Sequence, residues 1–270
     1  MQFSVLMSVY YKEIPQYFLT SVESIVNQTY PPSEIVIVKD GKLTYELDQI
    51  IENFQLKFPG LFKIVRLQIN QGLGEALNIG VKECSYDLIA RMDTDDISKP
   101  DRFEKTLKQF LDNPELDIVG SLIEEFEEEP NNILACRAVP LAQKDIYNVA
   151  KRRNPFNHMT VMYRKQAVID AGNYQSFLWC EDYYLWVRMI MKCCTMKNIN
   201  ESLVYVRSGK EMFERRGGRR YVISEFNLQR KYLDIGFITW FQFITNIALR
   251  GMIRLIPNKL RGFIYIKFLR

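Results

Sequence analysis

A chain of 270 residues with 47% hydrophobic and 25% charged side chains has the length for one large core and the composition of an ordinary globular protein. Its formal net charge of +4 is unevenly placed, because residues 231–270 carry a net +6 and residues 1–230 a net −2. A nucleic-acid-binding domain would place basic residues on the main fold, so that class is not indicated.

The cysteines are odd in number and include no C-x-x-C pair, which predicts neither a disulfide framework nor a zinc site. Reduced thiols in a cytosolic compartment are the simplest interpretation. An apolar strand begins at Phe3, with no basic region and long apolar run before it, so no signal peptide is predicted. No internal repeat or low-complexity linker is found. The five cysteines are Cys84, Cys136, Cys180, Cys193 and Cys194.

Short apolar runs alternate with segments of helical periodicity along the chain. Such alternation implies right-handed βαβ crossovers and an α/β fold with a largely parallel sheet. The charge run at residues 124–129 predicts a solvated hairpin or loop. Strands are predicted at residues 3–9, 34–38, 62–67, 88–92 and 117–121, and helices at 14–27, 44–58, from 73, 102–111, 142–151 and from 181.

Three carboxylates follow the fourth predicted strand: Asp93, Asp95 and Asp96. They lie just past the carboxyl end of that strand, where ligands bind in open α/β sheets. Carboxylates this close repel one another, and a hard divalent cation such as Mg²⁺ or Mn²⁺, with a bound diphosphate, would stabilise them. The alternative is an acidic loop beside a helix start, where Asp is favoured as a cap and by the helix dipole.

Asp40 occupies the corresponding position after the second strand, where a carboxylate can accept hydrogen bonds from a base or a ribose. An ordinary turn Asp before Gly41 is the alternative. Residues 70–80 contain three glycines but have the spacing of neither a P-loop nor a dinucleotide fingerprint. They predict only a helix that packs close to the crevice.

A second acidic site is predicted at Glu181 and Asp182, in the first turn of a helix whose dipole keeps carboxylates ionised. Such a carboxylate suits a general base, although acids are also common at helix starts for stability alone. His158 is the only histidine, so it cannot belong to a multi-histidine metal site. Its role is either structural or, because its loop precedes a strand aimed at the same crevice, functional.

A basic segment follows, with two glycines at 217–218. Arginines pair well with phosphate oxygens, so this segment could close over a diphosphate. A solvated surface loop is the alternative. Its arginines are Arg207, Arg215, Arg216, Arg219 and Arg220.

Several short motifs follow one another in a characteristic order and spacing over residues 2–220. They are residues 4–10 (SVLMSVY), 24–30 (SIVNQTY), 36–41 (VIVKDG), 70–72 (NQG), 76–80 (ALNIG), 93–96 (DTDD), 100–102 (PDR), 181–182 (ED) and 185–186 (LW). Together they resemble glycosyltransferase family 2, the inverting nucleotide-sugar transferases of GT-A fold. The departure is Lys39, where the family usually has a second Asp before the Asp-Gly pair.

The resemblance implies a GT-A catalytic domain over residues 1–230, with a Rossmann-like, mixed and mostly parallel sheet flanked by helices. It implies a nucleoside-diphosphate sugar donor, in particular a UDP-sugar. Asp182 would be the base that deprotonates the acceptor hydroxyl, with Glu181 in support. Mn²⁺ or Mg²⁺ would be held by Asp93, Asp95 and Asp96. The nucleotide-sugar site would comprise Ser8, Tyr10, Asp40, Asp93, Arg215 and Arg216, and the acceptor region His158 and Trp179.

The function predicted in this way is transfer of a sugar to a glycan or lipid-linked acceptor in bacterial surface or capsular polysaccharide biosynthesis. A nucleotidyltransferase is one alternative, but it would carry a Gly-rich basic loop after the first strand, and residues 8–11 offer none. A non-catalytic scaffold that binds glycans or nucleotide sugars is the other. The intact set of Asp93, Asp95 and Asp182 argues against it.

The C-terminal segment, residues 231–270, differs from the rest in composition. Residues 235–249 include one Asn, one Gln and two Thr, but no charge, and are rich in aromatics. This run is shorter than the ~20 residues that span a bilayer, and basic residues follow it. An amphipathic helical segment that associates with an anionic membrane surface is predicted, and hence a cytoplasmic protein at the inner face of the cell membrane. The alternative is a helix packed on the protein's own core.

Overall fold

The computed structural model describes residues 1–208 and 219–255. The strands are β1 (Phe3–Val9), β2 (Glu34–Lys39), β3 (Phe62–Arg66), β4 (Leu88–Arg91), β5 (Ile97–Ser98), β6 (Ile118–Phe126), β7 (Ile133–Arg137), β8 (Met162–Arg164) and β9 (Met196–Arg207). The helices are α1 (Pro15–Val26), α2 (Tyr45–Lys57), α3 (Leu73–Glu83), α4 (Arg102–Asp112), α5 (Gln143–Ala150), α6 (Lys165–Asp170), α7 (Glu181–Met191), α8 (Arg219–Asp234) and α9 (Trp240–Leu255).

Within the described residues the strands form one mixed sheet in the order β3-β2-β1-β4-β8-β6-β9-β5, with β7 paired to β6. The four strands β3, β2, β1 and β4 are parallel, as are β6 and β9. Strand β8 is antiparallel to both of its neighbours and joins the two parallel groups. The predicted α/β fold with a mixed, largely parallel sheet flanked by helices is confirmed.

Hydrophobic side chains are buried on both faces of the central strands. In β1, Leu6 packs into the cluster beneath α3 and α7, whereas Val5 packs into the cluster beneath α1 and α4. A strand buried on both faces reads as a continuous apolar run, which is why periodicity identified it. Helix α3 lies very close to the sheet, because a Cβ at Gly80 would be 2.4 Å from a Leu6 methyl and 2.9 Å from a Val38 methyl. Helix α3 therefore packs tightly on β1 and β2, and its position relative to the crevice stays a prediction.

Strands β5, β7 and β9 were not predicted from the sequence. Strand β5 has two residues, Ile97 and Ser98, which pair antiparallel with β9. The charge run at 124–129 does belong to a hairpin, but β6 continues to Phe126 and pairs with β7. Glu125 is buried there, so the expectation of a fully solvated loop is wrong at that position. Strand β5 depends on a partner distant in sequence, whereas β7 pairs with the strand directly before it.

The C-terminal segment is partly integrated into the core. Helix α8 crosses the boundary predicted at residue 230, and Tyr232, Phe237 and Ile238 belong to the cluster beneath α7. Helix α9 then packs one face on α8, where the side-chain amide of Asn246 donates to Gln229 Oε1 over 2.9 Å. The segment that can act independently of the core therefore begins no earlier than α9.

The other face of α9 remains exposed and apolar. In the two parts of the chain that the structure describes, no helix has both the length and the hydropathy needed to cross a bilayer. Four large hydrophobic side chains on this helix are exposed: Trp240, Phe241, Ile244 and Leu249.

Candidate functional site

The predicted nucleotide-binding residues lie at the carboxyl ends of adjacent parallel strands. Ser8 stands opposite Val38 in the β1–β2 ladder, and the Asp40 N–H donates to Val9 O over 2.8 Å. On the other side of β1, the Met92 N–H donates to Leu6 O over 3.2 Å, which places the acid cluster beside the end of β1. Because these strand ends adjoin, the structure brings together the sites that the sequence predicted separately.

The acid cluster is balanced by buried arginines. Arg91 is fully buried and forms an ion pair with Asp93, whose side chain is about one-quarter exposed. Beneath it, Arg102 is also buried and donates from Nη2 to Arg91 O over 2.6 Å. The backbone N–H of Arg207 donates to Asp96 Oδ1 over 3.0 Å. These arginines offset part of the repulsion among the three carboxylates. The repulsion that favours a metal ion is therefore smaller than the acids alone suggest.

Exposure alternates along the cluster. Asp93 and Asp95 are half-buried, while Asp96 is buried, and within the described part of the chain its Oδ2 has no hydrogen-bond partner. Burial raises the pKa of Asp96 well above its ordinary value, and the nearby Asp95 and Asp93 charges raise it further. Asp93 and Asp95 are thus the two members that a ligand reaches from solvent, and Asp96 forms the inner wall.

The described residues do not form a complete set of metal ligands. In residues 1–208 and 219–255, no three His, Cys, Asp or Glu side chains are grouped so that they could hold an ion. The donors of the acid loop are nevertheless all oxygens, and one of them, Asp96 Oδ2, has no hydrogen-bond partner among those residues. This set fits a hard cation such as Mg²⁺ or Mn²⁺ if diphosphate oxygens complete the coordination shell.

Asp40 holds the loop that precedes α3. Its two carboxylate oxygens accept from the backbone N–H groups of Gln71 (2.7 Å) and Gly72 (2.9 Å). Gly41 has φ +86°, and a Cβ there would lie 2.8 Å from Asn70 N, so only glycine permits this close approach. Asp40 therefore has a structural role beside the strand end, and contact with a nucleotide base stays a prediction. The atypical Lys39 forms an ion pair with α2.

Glu181 and Asp182 begin α7, as predicted. Asn154 donates from Nδ2 to Asp182 Oδ2 over 2.6 Å. Burial, followed by the charges of Asp182 and Asp93, raises the pKa of Glu181 to about 7. The contribution of Asp93 to the pKa of Glu181 means that the start of α7 and the acid loop lie within electrostatic range of each other, although they are nearly 90 residues apart in sequence.

His158 is part of an aromatic cluster rather than a free surface group. Its Nε2 shares a hydrogen bond with the Tyr174 hydroxyl over 2.9 Å, and its ring lies 6.1 Å from that of Trp186. Burial, and then the charge of Arg91, lower its pKa to about 4, so the imidazole is neutral at physiological pH. These contacts agree with a structural role for His158. A role in the acceptor region remains a prediction.

Trp179 lies elsewhere, on the surface beside α8. It has φ +63°, it is exposed, and its ring stacks on Tyr221 at 5.2 Å between centroids. Its assignment to the acceptor region is also untested. Ser8 is half-buried, and Tyr10 is exposed against the ring of Tyr11.

The basic segment is only partly described. Arg215 and Arg216 lie outside the described residues. Arg207 ends β9, with its guanidinium 3.7 Å from the ring centroid of Tyr17 and 4.7 Å from that of Phe126. Including Arg207 in a flexible segment that closes over a diphosphate is therefore wrong, since its strand and these rings hold it in place.

Sequence reasoning missed the supporting residues of the site. Arg91 and Arg102 flank the acid cluster but were assigned no role, although basic residues so close to three acids are a usable signal. Asn154, which orients Asp182, had no comparable signal, because 28 residues separate the pair. Arg207 reaches the cluster only through the pairing of β9 with β5.

Comparison with known proteins agrees with this geometry. The sequence profile described as Glycosyl transferase family 2 matches residues 4–174. The UDP-Gal:alpha-D-GlcNAc-diphosphoundecaprenol beta-1,3-galactosyltransferase of Escherichia coli is 38% identical over 269 residues, covering 100% of this chain and 97% of that protein. The amylovoran biosynthesis glycosyltransferase AmsE of Erwinia amylovora is 39% identical over 265 residues, covering 98% of each.

A solved structure shows the same fold. The mannosyltransferase PcManGT from Pyrobaculum calidifontis, in complex with GDP-Man and Mn²⁺, superposes with a TM-score of 0.65 at 14% identity, over 96% of this chain and 71% of that one. At this identity the likeness concerns the fold alone. The profile, however, covers more than half of the chain, and the two relatives align over almost their whole length. The chain belongs to glycosyltransferase family 2, and it is a glycosyltransferase with a GT-A-like fold.

Proposed function

We propose that the protein is an inverting hexosyltransferase that moves a sugar from a UDP-sugar to a glycan carried on a lipid diphosphate, in the assembly of a bacterial surface polysaccharide. The observation that supports the proposal is that Glu181 and Asp182 begin α7 within electrostatic range of Asp93, whose charge contributes to the raised pKa of Glu181. The relatives named above, one acting on a lipid-linked GlcNAc and one in amylovoran biosynthesis, support the substrate class.

The donor would bind along the carboxyl ends of β1, β2 and β4. Ser8, Tyr10 and Asp40 would contact the nucleoside. Asp93 would accept from the ribose while Arg91 fixes its orientation through their ion pair. Asp95, with Asp93 and Asp96, would hold Mn²⁺ or Mg²⁺, which would supply positive charge against the leaving diphosphate. Arg215 and Arg216 are proposed as further diphosphate contacts.

Inversion requires one in-line displacement, and so a single carboxylate base. Asp182 would take the proton of the acceptor hydroxyl as that oxygen attacks the anomeric carbon. Asp182 lies in the first turn of α7, and Asn154 holds the orientation of its carboxylate. Glu181, whose pKa is about 7, carries only part of a charge near neutrality and so limits repulsion in the crevice. His158 and Trp179 would contribute to the acceptor region.

A peripheral position at the cytoplasmic face of the membrane would bring this crevice to a lipid-linked acceptor. The exposed apolar face of α9 and the net +6 of residues 231–270 support such a position. Family membership leaves no reason to favour a nucleotidyltransferase. A non-catalytic binding protein remains an outcome of the test that follows.

The test is a transfer assay with purified protein. UDP-Gal and other UDP-sugars are incubated with a synthetic GlcNAc-diphospho-lipid, with Mn²⁺, with Mg²⁺ or with EDTA. Product is identified by mass spectrometry, and its anomeric configuration by NMR. We expect metal-dependent transfer with inversion. Retention would contradict the single displacement, full activity in EDTA would contradict the metal, and binding of donor without transfer by any pair would indicate a non-catalytic protein.

A further inference from the structure

A cavity of about 490 Å³ lies between α5 and α9, outside the crevice described above. None of its described lining residues is acidic, and three are cationic. A concave site with this charge fits an anion better than a neutral sugar. The lining residues are Asn148, Val149, Lys151, Arg152, Arg153 and Gln242.

The backbone of this cavity is held firmly from two sides. Tyr183 of α7 donates from its hydroxyl to Ala150 O over 2.6 Å, and Asn246 of α9 donates to Lys151 O over 2.8 Å. The N–H groups of Arg152 and Arg153 both donate to Val149 O over 2.8 Å. The cationic side chains therefore extend from a fixed turn, so a ligand would not have to order the backbone when it binds.

The turn that carries the cationic side chains also holds the candidate base. Asn154 directly follows the lining residue Arg153, and its side-chain amide donates to Asp182 Oδ2 over 2.6 Å. The lining residue Gln242 belongs to α9, next to the exposed Trp240 and Phe241. The cavity is therefore linked through Asn154 to the candidate base and through Gln242 to an exposed apolar helix face.

We propose that this cavity binds the diphosphate of the lipid-linked acceptor. The acceptor sugar would then reach Asp182, and the lipid chain would leave along the exposed face of α9. The cationic lining supports this assignment, because Arg and Lys are the side chains that bind phosphate oxygens most strongly. The inference rests on the proposed function for its substrate, but binding at the cavity is measurable without catalysis.

The experiment is a calorimetric titration of the whole protein with GlcNAc-diphosphate on a short, water-soluble isoprenoid chain. Saturating UDP and Mn²⁺ fill the donor site, so the ligand's diphosphate cannot bind there, and no sugar is available for transfer. The test variant is Lys151→Gln/Arg153→Gln. The matched control is Lys57→Gln/Lys108→Gln, which removes two exposed charges from α2 and α4 on the opposite face of the sheet. Equal melting temperatures verify that both variants fold.

We expect the Kd of the test variant to rise by about tenfold or more, since each lost charge-assisted hydrogen bond is worth roughly such a factor, and that of the control to stay at the wild-type value. A neutral alkyl glycoside of the same sugar should bind wild type and test variant alike. An unchanged Kd for the diphosphate ligand in the test variant overturns the proposal.

A second arm uses vesicles of phosphatidylglycerol. If the test variant loses vesicle binding but keeps its affinity for the diphosphate ligand, the cavity is a phospholipid headgroup site and the proposal is wrong. The transfer assay separates this inference from the function on which it rests. Suppose that the test variant binds the diphosphate ligand more weakly than wild type, but wild type transfers no sugar from any UDP-sugar. The diphosphate site would then be supported, and the proposed transferase activity would be wrong.

Discussion

The side-chain amide of Asn154 donates a 2.6 Å hydrogen bond to Oδ2 of Asp182, so the loop after α5 sets the orientation of a carboxylate at the start of α7. A carboxylate offers about four lone-pair directions. One hydrogen bond therefore orients the group and leaves other lone pairs available to accept a proton. This pair links the proposed base to the cationic cavity, because Asn154 directly follows Arg153.

Replacing the proposed base should affect the chemical step selectively. Asp182→Asn keeps the shape of the side chain and an oxygen for Asn154, but an amide cannot accept the acceptor's proton. We expect kcat to fall by about 10²-fold or more, while UDP affinity measured by calorimetry stays near the wild-type value. Glu181→Gln is the matched control and should retain most activity. Wild-type turnover by Asp182→Asn, with loss of activity in the control, would move the base to Glu181.

The acid loop should govern metal-dependent donor binding. In Asp95→Asn a charged oxygen is lost from a half-buried position, so we expect the fold to survive. The affinity for UDP in the presence of Mn²⁺ should fall by about tenfold or more, which corresponds to 1.4 kcal/mol per tenfold. Asp112→Asn, at the exposed end of α4, serves as the control for charge. Equal UDP affinity in wild type and Asp95→Asn would show that Asp95 is no metal ligand.

Glu181 should make stability depend on pH in the ligand-free protein. Its pKa rises from 4.5 to about 7 on folding, so the native state binds more protons than the unfolded state between these values. Its contribution to stability is therefore fully present below pH 4.5 and is lost as the pH rises through 7. Because Glu181→Gln mimics the protonated form, its free energy of unfolding should increase relative to wild type across that window.

The measurement for this prediction is denaturant unfolding at several pH values from 4 to 8. Glu104→Gln, an exposed position on α4, is the control and should follow the wild-type curve. A constant difference between Glu181→Gln and wild type over the whole range would mean that the pKa of Glu181 is not raised in the folded protein.

Membrane association should depend on the exposed face of α9. We expect the protein to sediment with anionic vesicles at low salt and to be only partly released at high salt, because salt screens the charges of residues 231–270 but not apolar insertion. Trp240→Ser/Phe241→Ser should lose the salt-resistant fraction. Tyr45→Ser/Leu56→Ser, at equally exposed positions on α2, is the control and should retain it. If wild type ignores anionic vesicles at every salt concentration, α9 is only a packing helix.

Local pattern predicted the parallel half of the sheet, because β1, β2 and β4 are apolar runs followed by acids or turns. It did not predict β5, which is defined only by its pairing with β9 more than 100 residues later. The same limit applies to the residues of the candidate site. Asp93, Asp95 and Asp182 are visible as motifs, whereas their convergence depends on the order of strands in the sheet.

The energetic balance of the site was harder to anticipate than its location. Arg91 and Arg102 are charged side chains that sequence reasoning places on the surface, and both are fully buried beneath the acids. Burial and the neighbouring Arg91 charge even lower the pKa of Arg102, to about 9. Such residues become recognisable only when the opposite charges around them are known.

The pairing of β9 with both β6 and β5 has a consequence for how the protein is made. The ribosome delivers the acid loop early, but Asp96 acquires its backbone partner only with Arg207, 111 residues later. During translation the nascent chain therefore holds an incompletely braced cluster of carboxylates. The hydrogen bonds that brace the acid cluster should therefore be complete only once β9 has left the exit tunnel.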